Sequence, residues 1–332
     1  MSLTQNTNRN VVVTGAAGYI GGTICIELKK RGYKVYAIDR RESPHLNRYF
    51  DELICNDFVD YESFLTYKKA NPIAIIHCAG TSLVGPSMEN PGIYFHNNVC
   101  RTISLLNYIR HETPNSKFIF SSSAAVYGNS EQIYSEYMAP DPVSPYGETK
   151  LMVENTLKWY KHAHNLKYVA FRYFNACGAD PDGKHGQDPN ATHIFAKLFE
   201  AIKNEQPFTI NGTDYPTKDG TCVRDYIHVT DLAEAHIMAI ENEIEGVYNL
   251  GSYKGTSNLE IYETIINTIN QDTPVILDKR REGDPATLIA DPTKWNVKTG
   301  WSPKYNLEDI INHLNTWYNS KTFKGIKDGK VR

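Results

Sequence analysis

The sequence predicts an α/β fold, a doubly wound parallel sheet followed by a smaller C-terminal α/β domain. Short apolar runs alternate with longer helical patterns through the first half of the chain. Several of these runs are apolar throughout, as in strands that are covered on both faces. The 332 residues suffice for about two domains at ~150 residues each. Strands separated by helices imply right-handed crossovers, which build a parallel sheet.

Six apolar runs predict the strands of the first half, at residues 10–14, 34–39, 53–56, 73–78, 117–122 and 168–174. Helical patterns run from Gly18 to about Lys30, over residues 93–111 and over residues 145–162. The segment after Asn175 is rich in Gly, Pro and Asp, which predicts a long loop between two units. A further strand is predicted at 246–251. We therefore expect one domain at 1–176, with a returning segment near 221–253, and a second at 177–332.

Composition excludes several function classes. Thirty-five Lys plus Arg against 38 Asp plus Glu give a formal net charge of −3, so no basic field attracts nucleic acid or anionic lipid. The six cysteines are scattered without a Cys-x-x-Cys pair, which favours free thiols and predicts no metal site. No apolar run approaches the roughly 18 residues of a membrane helix, and the first residues lack a signal core. We expect a cytoplasmic protein without nucleic-acid or membrane partners.

Glycines follow the first predicted strand at a spacing of three. Gly15, Gly18 and Gly21 stand at the strand-to-helix turn, with Tyr19 and Ile20 between the last two. Glycine there lets the backbone approach a pyrophosphate, and the helix N-terminus supplies partial positive charge. This pattern predicts a dinucleotide site and hence a Rossmann-type first domain.

Acidic residues end the next two strands. Asp39 can accept both ribose hydroxyls of adenosine and would repel a 2′-phosphate, which favours NAD over NADP. Arg40 and Arg41 leave pairing with a 2′-phosphate open. Asp57 is suited either to the adenine amino group or to capping a loop or helix.

A second group of residues predicts redox chemistry. Ser123 follows the fifth strand at its C-terminal edge, and Tyr146 and Lys150 lie four residues apart on a predicted helix. That spacing puts the ammonium near the phenol. A nearby positive charge favours phenolate, so Tyr146 becomes a proton acceptor while Ser123 holds the same substrate hydroxyl.

Eight segments carry a family resemblance: GAAGYIGG, IIHCAG, FIFSSSAAVYG, SPYGETK, FRYFNACGADPDG, DGTCVRDYIHVTDLA, VYNLGS and RREGDP. Together they resemble the extended short-chain dehydrogenase/reductases and, within them, the UDP-glucose 4-epimerase (UDP-galactose 4-epimerase) family. The resemblance runs from about Asn10 beyond Trp301. It implies tightly held NAD, catalytic Ser123, Tyr146 and Lys150, and a homodimer joined by a bundle of the helices near 93–111 and 145–162.

The resemblance also implies further site residues. On the cofactor side these are Cys78, Ala79, Asn97 and Tyr173. On the side of a UDP-sugar substrate they are Asn175, His193, Ile194, Arg224, Arg281, Asp284 and Leu288, which assign residues 177–332 mainly to UDP-sugar binding. Arg224 and Arg281 are also fork donors suited to a diphosphate, with surface salt bridges as the alternative.

The implied reaction is epimerisation at carbon 4 of a UDP-hexose through a transient 4-keto sugar. Leu288 stands where relatives carry Tyr or a smaller residue, so an N-acetylated or other UDP-sugar stays open as substrate. A 4,6-dehydratase is disfavoured, because Ala124 and Ala125 replace the Asp-Glu of those relatives. A non-catalytic NAD sensor is disfavoured by the intact Ser123, Tyr146 and Lys150. Ser82 and Ala196 replace a Lys and a Pro that are common in the family.

Overall fold

The computed structural model describes residues 8–129, 133–280 and 285–329. Up to the sixth strand, the elements in chain order are β1 (Asn10–Thr14), α1 (Tyr19–Lys30), β2 (Lys34–Asp39), β3 (Glu52–Cys55), α2 (Tyr61–Ala70), β4 (Ala74–His77), α3 (Val84–Glu89), α4 (Pro91–Tyr94), α5 (Arg101–Glu112), β5 (Lys117–Ser123), α6 (Pro145–His164) and β6 (Tyr168–Tyr173). Short 3-10 turns cover Pro44–Tyr49 and Ala124–Val126, and a π-helical segment covers Phe95–Cys100.

The remaining elements are β7 (Asn175–Cys177), α7 (Ile194–Lys203), β8 (Phe208–Asn211), β9 (Val223–His228), α8 (Val229–Glu241), β10 (Gly246–Leu250), β11 (Gly255–Ser257), α9 (Asn258–Ile269), β12 (Val275–Asp278), β13 (Thr287–Leu288), α10 (Thr293–Thr299), α11 (Leu307–Asn319) and α12 (Lys321–Lys327). Within the described ranges, no helix is both long and apolar enough to cross a membrane.

A seven-stranded sheet, in the order β10-β6-β5-β4-β1-β2-β3, confirms the predicted doubly wound parallel fold. β1 pairs in parallel with both β2 and β4. Val11, Val12 and Val13 are fully buried in this central strand, as expected for a strand covered on both faces. The carboxyl ends of β1, β2, β4 and β5 therefore share one edge, the edge at which ligands bind in such sheets.

The predicted helix over 93–111 is wrong in its interior. α4 ends at Tyr94, the backbone widens into the π-helical segment, and α5 begins at Arg101. The widened turn accompanies a tertiary contact: Asn98 is buried and bonds the amide and the carbonyl of Thr81. A single π turn inside a helix is typical of functional sites.

The chain forms two compact units. Unit 1 comprises residues 1–128, 140–172 and 233–248, and unit 2 comprises 129–139, 173–232 and 249–332. The expected division at residue 176, between a part that binds NAD and a part that mainly binds a UDP-sugar, concerns ligand binding and stays a prediction.

Unit 2 contains a mixed sheet and a helical core. β9 lies between β11 and β13 and also pairs with β7, while β8 pairs with β12. Helices α7, α9 and α11 bury apolar side chains, among them Phe195, Ile261 and Leu314.

Candidate active site

The turn between β1 and α1 leaves little room for side chains at its three glycines. Gly15 has a φ of +72°, and a Cβ on it would lie 2.7 Å from the amide nitrogen of Ala79. A Cβ on Gly21 would lie 2.2 Å from the carbonyl oxygen of Gly15, and one on Gly18 would lie 3.2 Å from it. The backbone is therefore bare at the N-terminus of α1, where amide groups favour a phosphate. This cradle fits the pyrophosphate of NAD.

Asp39 ends β2 beside the glycine turn. Its Oδ2 atom accepts a hydrogen bond from the amide of Ala17 at 3.0 Å, and its Oδ1 atom accepts one from the amide of Arg41 at 3.0 Å. The side chain of Arg41 is 69% exposed, with Nε 3.9 Å from Oδ1. The carboxylate is thus fixed next to the cradle, which fits a ribose better than a 2′-phosphate.

Asp57 has a partner that the sequence did not reveal. The guanidinium of Arg101, at the start of α5, lies 2.5 Å from its Oδ1 atom, and Nε of Arg40 lies 4.0 Å from Oδ2. The amide of Val59 also donates to Oδ1 at 3.2 Å. The sequence alone does not indicate this pair, because Arg101 and Asp57 are distant along the chain. Asp57 is therefore held by an ion pair and by the adjacent loop.

Local helix signals position Tyr146 and Lys150. Ser144 caps α6 by accepting from the amide of Gly147 at 3.1 Å, and Pro145 occupies the first helical position. This start places Tyr146 in the first turn and Lys150 one turn later. Nζ of Lys150 lies 5.7 Å from the centroid of the Tyr146 ring and donates to the carbonyl of Ser121 at 2.8 Å.

Burial dominates the ionisation of both groups. It raises the pKa of the Tyr146 phenol, a hydrogen bond with Ser123 opposes this, and Tyr94 adds to the rise. Burial lowers the pKa of Lys150 to about 8, while Cys78 and Glu154 act in the opposite direction. In the protein alone the phenol is protonated at neutral pH. The hydrogen bond between Ser123 and Tyr146 joins the two groups predicted to share a substrate hydroxyl.

Asn98 is a site residue that sequence reasoning missed. Its Oδ1 atom accepts from the amide of Thr81 at 2.7 Å, and its Nδ2 atom donates to the carbonyl of Thr81 and to Oγ1 of Thr149. The predicted Asn97 donates to Oγ1 of Thr81 at 2.9 Å. Both asparagines thus hold the loop after β4, at the end of which Gly80 lies beside Lys150.

The other predicted cofactor residues lie at the ends of sheet strands or at the start of α1. Tyr19 and Ile20 are the first residues of α1. The thiol of Cys78 accepts from Oγ of Ser121 at 3.1 Å, and Ala79 is next to it. Tyr173 is the buried last residue of β6.

In unit 2, three predicted substrate residues stand on adjacent strands. Asn175 on β7 donates to the carbonyl of Asp225 at 3.0 Å, and Leu288 on β13 pairs in register with Arg224 on β9. The buried guanidinium of Arg224 donates to the carbonyls of Val223 and Pro285. Arg281 and Asp284 lie outside the described residues, so their predicted contacts are not placed.

His193 and Ile194 line a cavity of about 700 Å³ in unit 2, between α7 and the strand β8. Its lining also includes Phe208 and Asn211, two positions that no sequence pattern indicates. Burial lowers the pKa of His193 to about 4, so its imidazole is neutral. The cavity has both apolar walls and amide groups, as a planar base requires.

Comparison with known proteins extends these observations. Residues 11–251 match the NAD dependent epimerase/dehydratase family. The chain is 40% identical to the UDP-glucose 4-epimerase of Halalkalibacterium halodurans over 93% of its own length and 95% of that protein. It is also 40% identical to the crystal structure of UDP-glucose 4-epimerase from Brucella ovis in complex with NAD, at a TM-score of 0.86, covering 92% of this chain and 97% of that one.

A more distant solved structure has a different sugar in its name. It is the UDP-N-acetylglucosamine 4-epimerase of Methanobrevibacter ruminantium in complex with UDP-N-acetylmuramic acid, which is 28% identical at a TM-score of 0.83, covering 94% of this chain and 98% of that one. From the family match and the near-complete coverage at 40% identity, we conclude that the chain belongs to the NAD dependent epimerase/dehydratase family and, within it, to the UDP-glucose 4-epimerases.

Proposed function

We propose that this enzyme interconverts UDP-glucose and UDP-galactose by inverting carbon 4 of the hexose, with NAD as its cofactor. The observation that carries the proposal is the triad of Ser123, Tyr146 and Lys150 at the sheet edge that also carries the glycine cradle. The hydroxyl of Ser123 and the phenol of Tyr146 are hydrogen-bonded to each other, as two groups that share one substrate hydroxyl require.

The cofactor is held by residues of unit 1. Gly15, Gly18 and Gly21 cradle the pyrophosphate, Asp39 binds the adenosine ribose, and Lys150 binds the second ribose. Bound NAD supplies a reversible hydride acceptor for a carbinol carbon.

The chain's own residues then move a proton. The Tyr146 phenolate takes the proton of the sugar 4-hydroxyl and later returns it to the 4-keto oxygen. The ammonium of Lys150 stabilises this phenolate, since burial alone favours the neutral phenol. Ser123 donates a hydrogen bond that orients the sugar oxygen.

Residues of unit 2 bind the nucleotide portion. Arg224 and Arg281 hold the diphosphate, Asn175 contacts the diphosphate or the sugar, and Asp284 binds near the uridine ribose. The uracil occupies the cavity lined by His193 and Ile194. A diphosphate that stays clamped lets the hexose turn about its anomeric link and present its other face, so the stereocentre inverts without net oxidation.

An alternative substrate is a UDP-N-acetylhexose. Leu288 favours this alternative, because its branched aliphatic side chain is smaller than the Tyr that some relatives carry there and has no hydroxyl. The comparison with a UDP-N-acetylglucosamine 4-epimerase is consistent with the same reading, although identity to the UDP-glucose 4-epimerases is higher.

The assembly we propose is a homodimer built from α5 and α6. These helices are joined within one chain by a hydrogen bond of 2.8 Å from the Tyr160 hydroxyl to Oδ1 of Asn107. α6 exposes Met152 and Trp159, of which Trp159 is 70% exposed. These two side chains are seven residues apart and so lie on one face of α6, where a second subunit could cover them. A cytoplasmic location, which the six free thiols support, belongs to the same proposal.

The test is conversion of purified UDP-galactose. We expect UDP-glucose to accumulate up to equilibrium with NAD present only in catalytic amount. A requirement for one equivalent of NAD or NADH per product formed contradicts the proposal. Release of a 4-keto-6-deoxy sugar identifies a dehydratase, and clear NAD binding without turnover of any UDP-sugar favours the sensor.

A further inference from the structure

A buried ion pair lies one helical turn from Lys150, and the mechanism above does not use it. Glu154 follows Lys150 by four residues on α6, so the two side chains share a face of the helix. Arg172 on β6 donates from Nε to one carboxylate oxygen of Glu154 at 3.0 Å and from a terminal nitrogen to the other at 2.6 Å. The side chains of Glu154 and Arg172 are 0% and 4% exposed. A buried pair of this kind is weak evidence for stability alone, because apolar replacements often serve equally well.

The same carboxylate also contacts the strand that carries the catalytic serine. Oγ of Ser122, the residue before Ser123, donates to Glu154 at 2.6 Å. The Arg172 guanidinium also stacks on the ring of Tyr127, 4.6 Å from its centroid, just after the turn that follows Ser123. Glu154 thus joins β5, α6 and β6 at the point where β5 and α6 present the reacting groups.

Lys150 faces groups from three elements. His77 ends β4, and Cys78 follows it. β5 contributes the carbonyl of Ser121 and the ring of Phe120, whose centroid lies 4.9 Å from Nζ. α6 contributes Tyr146 and Glu154.

Most of these titratable groups are neutral near pH 7. Burial lowers the pKa of His77 to about 3 and raises the pKa of Cys78 to about 11. It also raises the pKa of the Tyr146 phenol. Glu154, paired with a guanidinium, is therefore the group among them that places a negative charge near the Lys150 ammonium. Without that charge, the lowering of the Lys150 pKa by burial would be opposed less.

We propose that Glu154, fixed by Arg172 and Ser122, is a positioning residue that keeps the Lys150 ammonium charged and holds Ser123 in place. Its consequence for catalysis rests on the proposed function, since it acts through Lys150 on Tyr146. Its effect on Lys150 itself is independent of any substrate.

The direct test is the titration of Lys150 in the protein labelled with 13C at lysine Cε, followed by NMR and assigned with Lys150→Met. In the wild type we expect a midpoint near the value of about 8 given above. In Glu154→Gln, which keeps the side-chain shape, we expect the midpoint to fall by roughly half a pH unit or more. Glu148→Gln, the same change on the same helix, is the matched control and leaves the midpoint in place. An unchanged midpoint in Glu154→Gln overturns the proposal.

A second variant covers the case in which Glu154→Gln does not fold with the Arg172 charge unpaired. Glu154→Gln/Arg172→Met removes both charges, and we expect a smaller fall in the midpoint, because loss of the guanidinium partly offsets loss of the carboxylate. A midpoint equal to that of the wild type in this variant also overturns the proposal.

The pH profile of turnover separates this proposal from the proposed function. Where the wild type epimerises UDP-galactose, the alkaline limb of kcat/KM in the Glu154 variants moves to lower pH along with the NMR midpoint. A purely structural role lowers activity equally at every pH and contradicts the proposal. Absence of turnover in the wild type contradicts the proposed function, while the NMR midpoint still decides the role of Glu154.

Discussion

At the scale of single residues, the phenol of Tyr146 is the group on which the proposed chemistry depends. Burial favours its neutral form in the protein alone, and the hydrogen bond with Ser123 opposes this effect. Nζ of Lys150 lies 5.7 Å from the centroid of its ring. A residue with these neighbours is a base only when cofactor and substrate are in place.

Replacement of Tyr146 by Phe removes the proton acceptor and retains the ring. We expect NAD binding and the free energy of unfolding to stay close to those of the wild type. Epimerisation should fall by ~10²–10⁴, the range typical of a lost general base. Steady-state kinetics with UDP-galactose and a titration with NAD measure the two quantities. Turnover equal to that of the wild type refutes the role of Tyr146.

Leu288 is the residue that we expect to set the range of sugars. Its backbone pairs in register with Arg224, the proposed diphosphate ligand. Replacement by Tyr should lower kcat/KM for UDP-N-acetylglucosamine relative to UDP-glucose, by an amount corresponding to ~1–3 kcal/mol. Leu288→Ile, a change of similar volume, is the control. If Leu288→Tyr leaves this ratio of kcat/KM values unchanged, Leu288 does not set the range of sugars.

Short-range signals predict part of the proposed site. The Ser123, Tyr146 and Lys150 candidates follow from a strand end and a helical spacing of four. Arg101 and Asn98 escaped prediction, because their partners Asp57 and Thr81 are brought to them only by the tertiary fold. Glu154 escaped for the same reason.

At the scale of elements, apolar runs predicted the central strands well. The bounds of β1 and β2 agree with those predicted from the sequence, since Gly15 follows β1 and Arg40 follows β2. The π-helical segment over Phe95–Cys100 was not predicted, because its apolar spacing is the same as that of an α-helix. The strands β7, β11 and β13 are too short for an alternating pattern to indicate them.

The C-terminal end of α8 depends on a lysine from another element. Nζ of Lys117, which is 6% exposed, donates to the carbonyls of Ala239 at 2.8 Å and Asn242 at 2.5 Å. Positive charge is favourable at a helix C-terminus, where the last carbonyls lack partners within the helix. Burial lowers the pKa of this lysine.

Lys117→Met should therefore destabilise the protein by about 1–3 kcal/mol, because the buried carbonyl of Ala239 loses this donor. The carbonyl of Asn242 keeps the amide of Ile244 as a donor. Urea unfolding measures the effect. Lys34→Met, at an exposed position at the start of β2, is the control and should stay within about 0.5 kcal/mol. Equal stability of the two variants contradicts the capping role of Lys117.

At the scale of the whole molecule, the proposed homodimer is tested by α6. We expect Trp159→Glu to move the protein from dimer to monomer, because it places a charge at the most exposed aromatic residue of that helix. Sedimentation equilibrium measures the assembly. Val297→Glu on α10, where the native side chain is 80% exposed, is the control and should stay dimeric. A monomeric wild type, or a dimer that Trp159→Glu leaves intact, contradicts this assembly.

The proposed mechanism requires that carbon 4 loses and regains the same hydrogen. Its most direct test is conversion of UDP-galactose that carries deuterium at carbon 4, with product analysis by mass spectrometry and NMR. We predict that the UDP-glucose formed keeps the deuterium at carbon 4, because the hydrogen never reaches solvent. Loss of the label to water, or entry of solvent deuterium at carbon 4 when unlabelled substrate turns over in D₂O, would contradict the account.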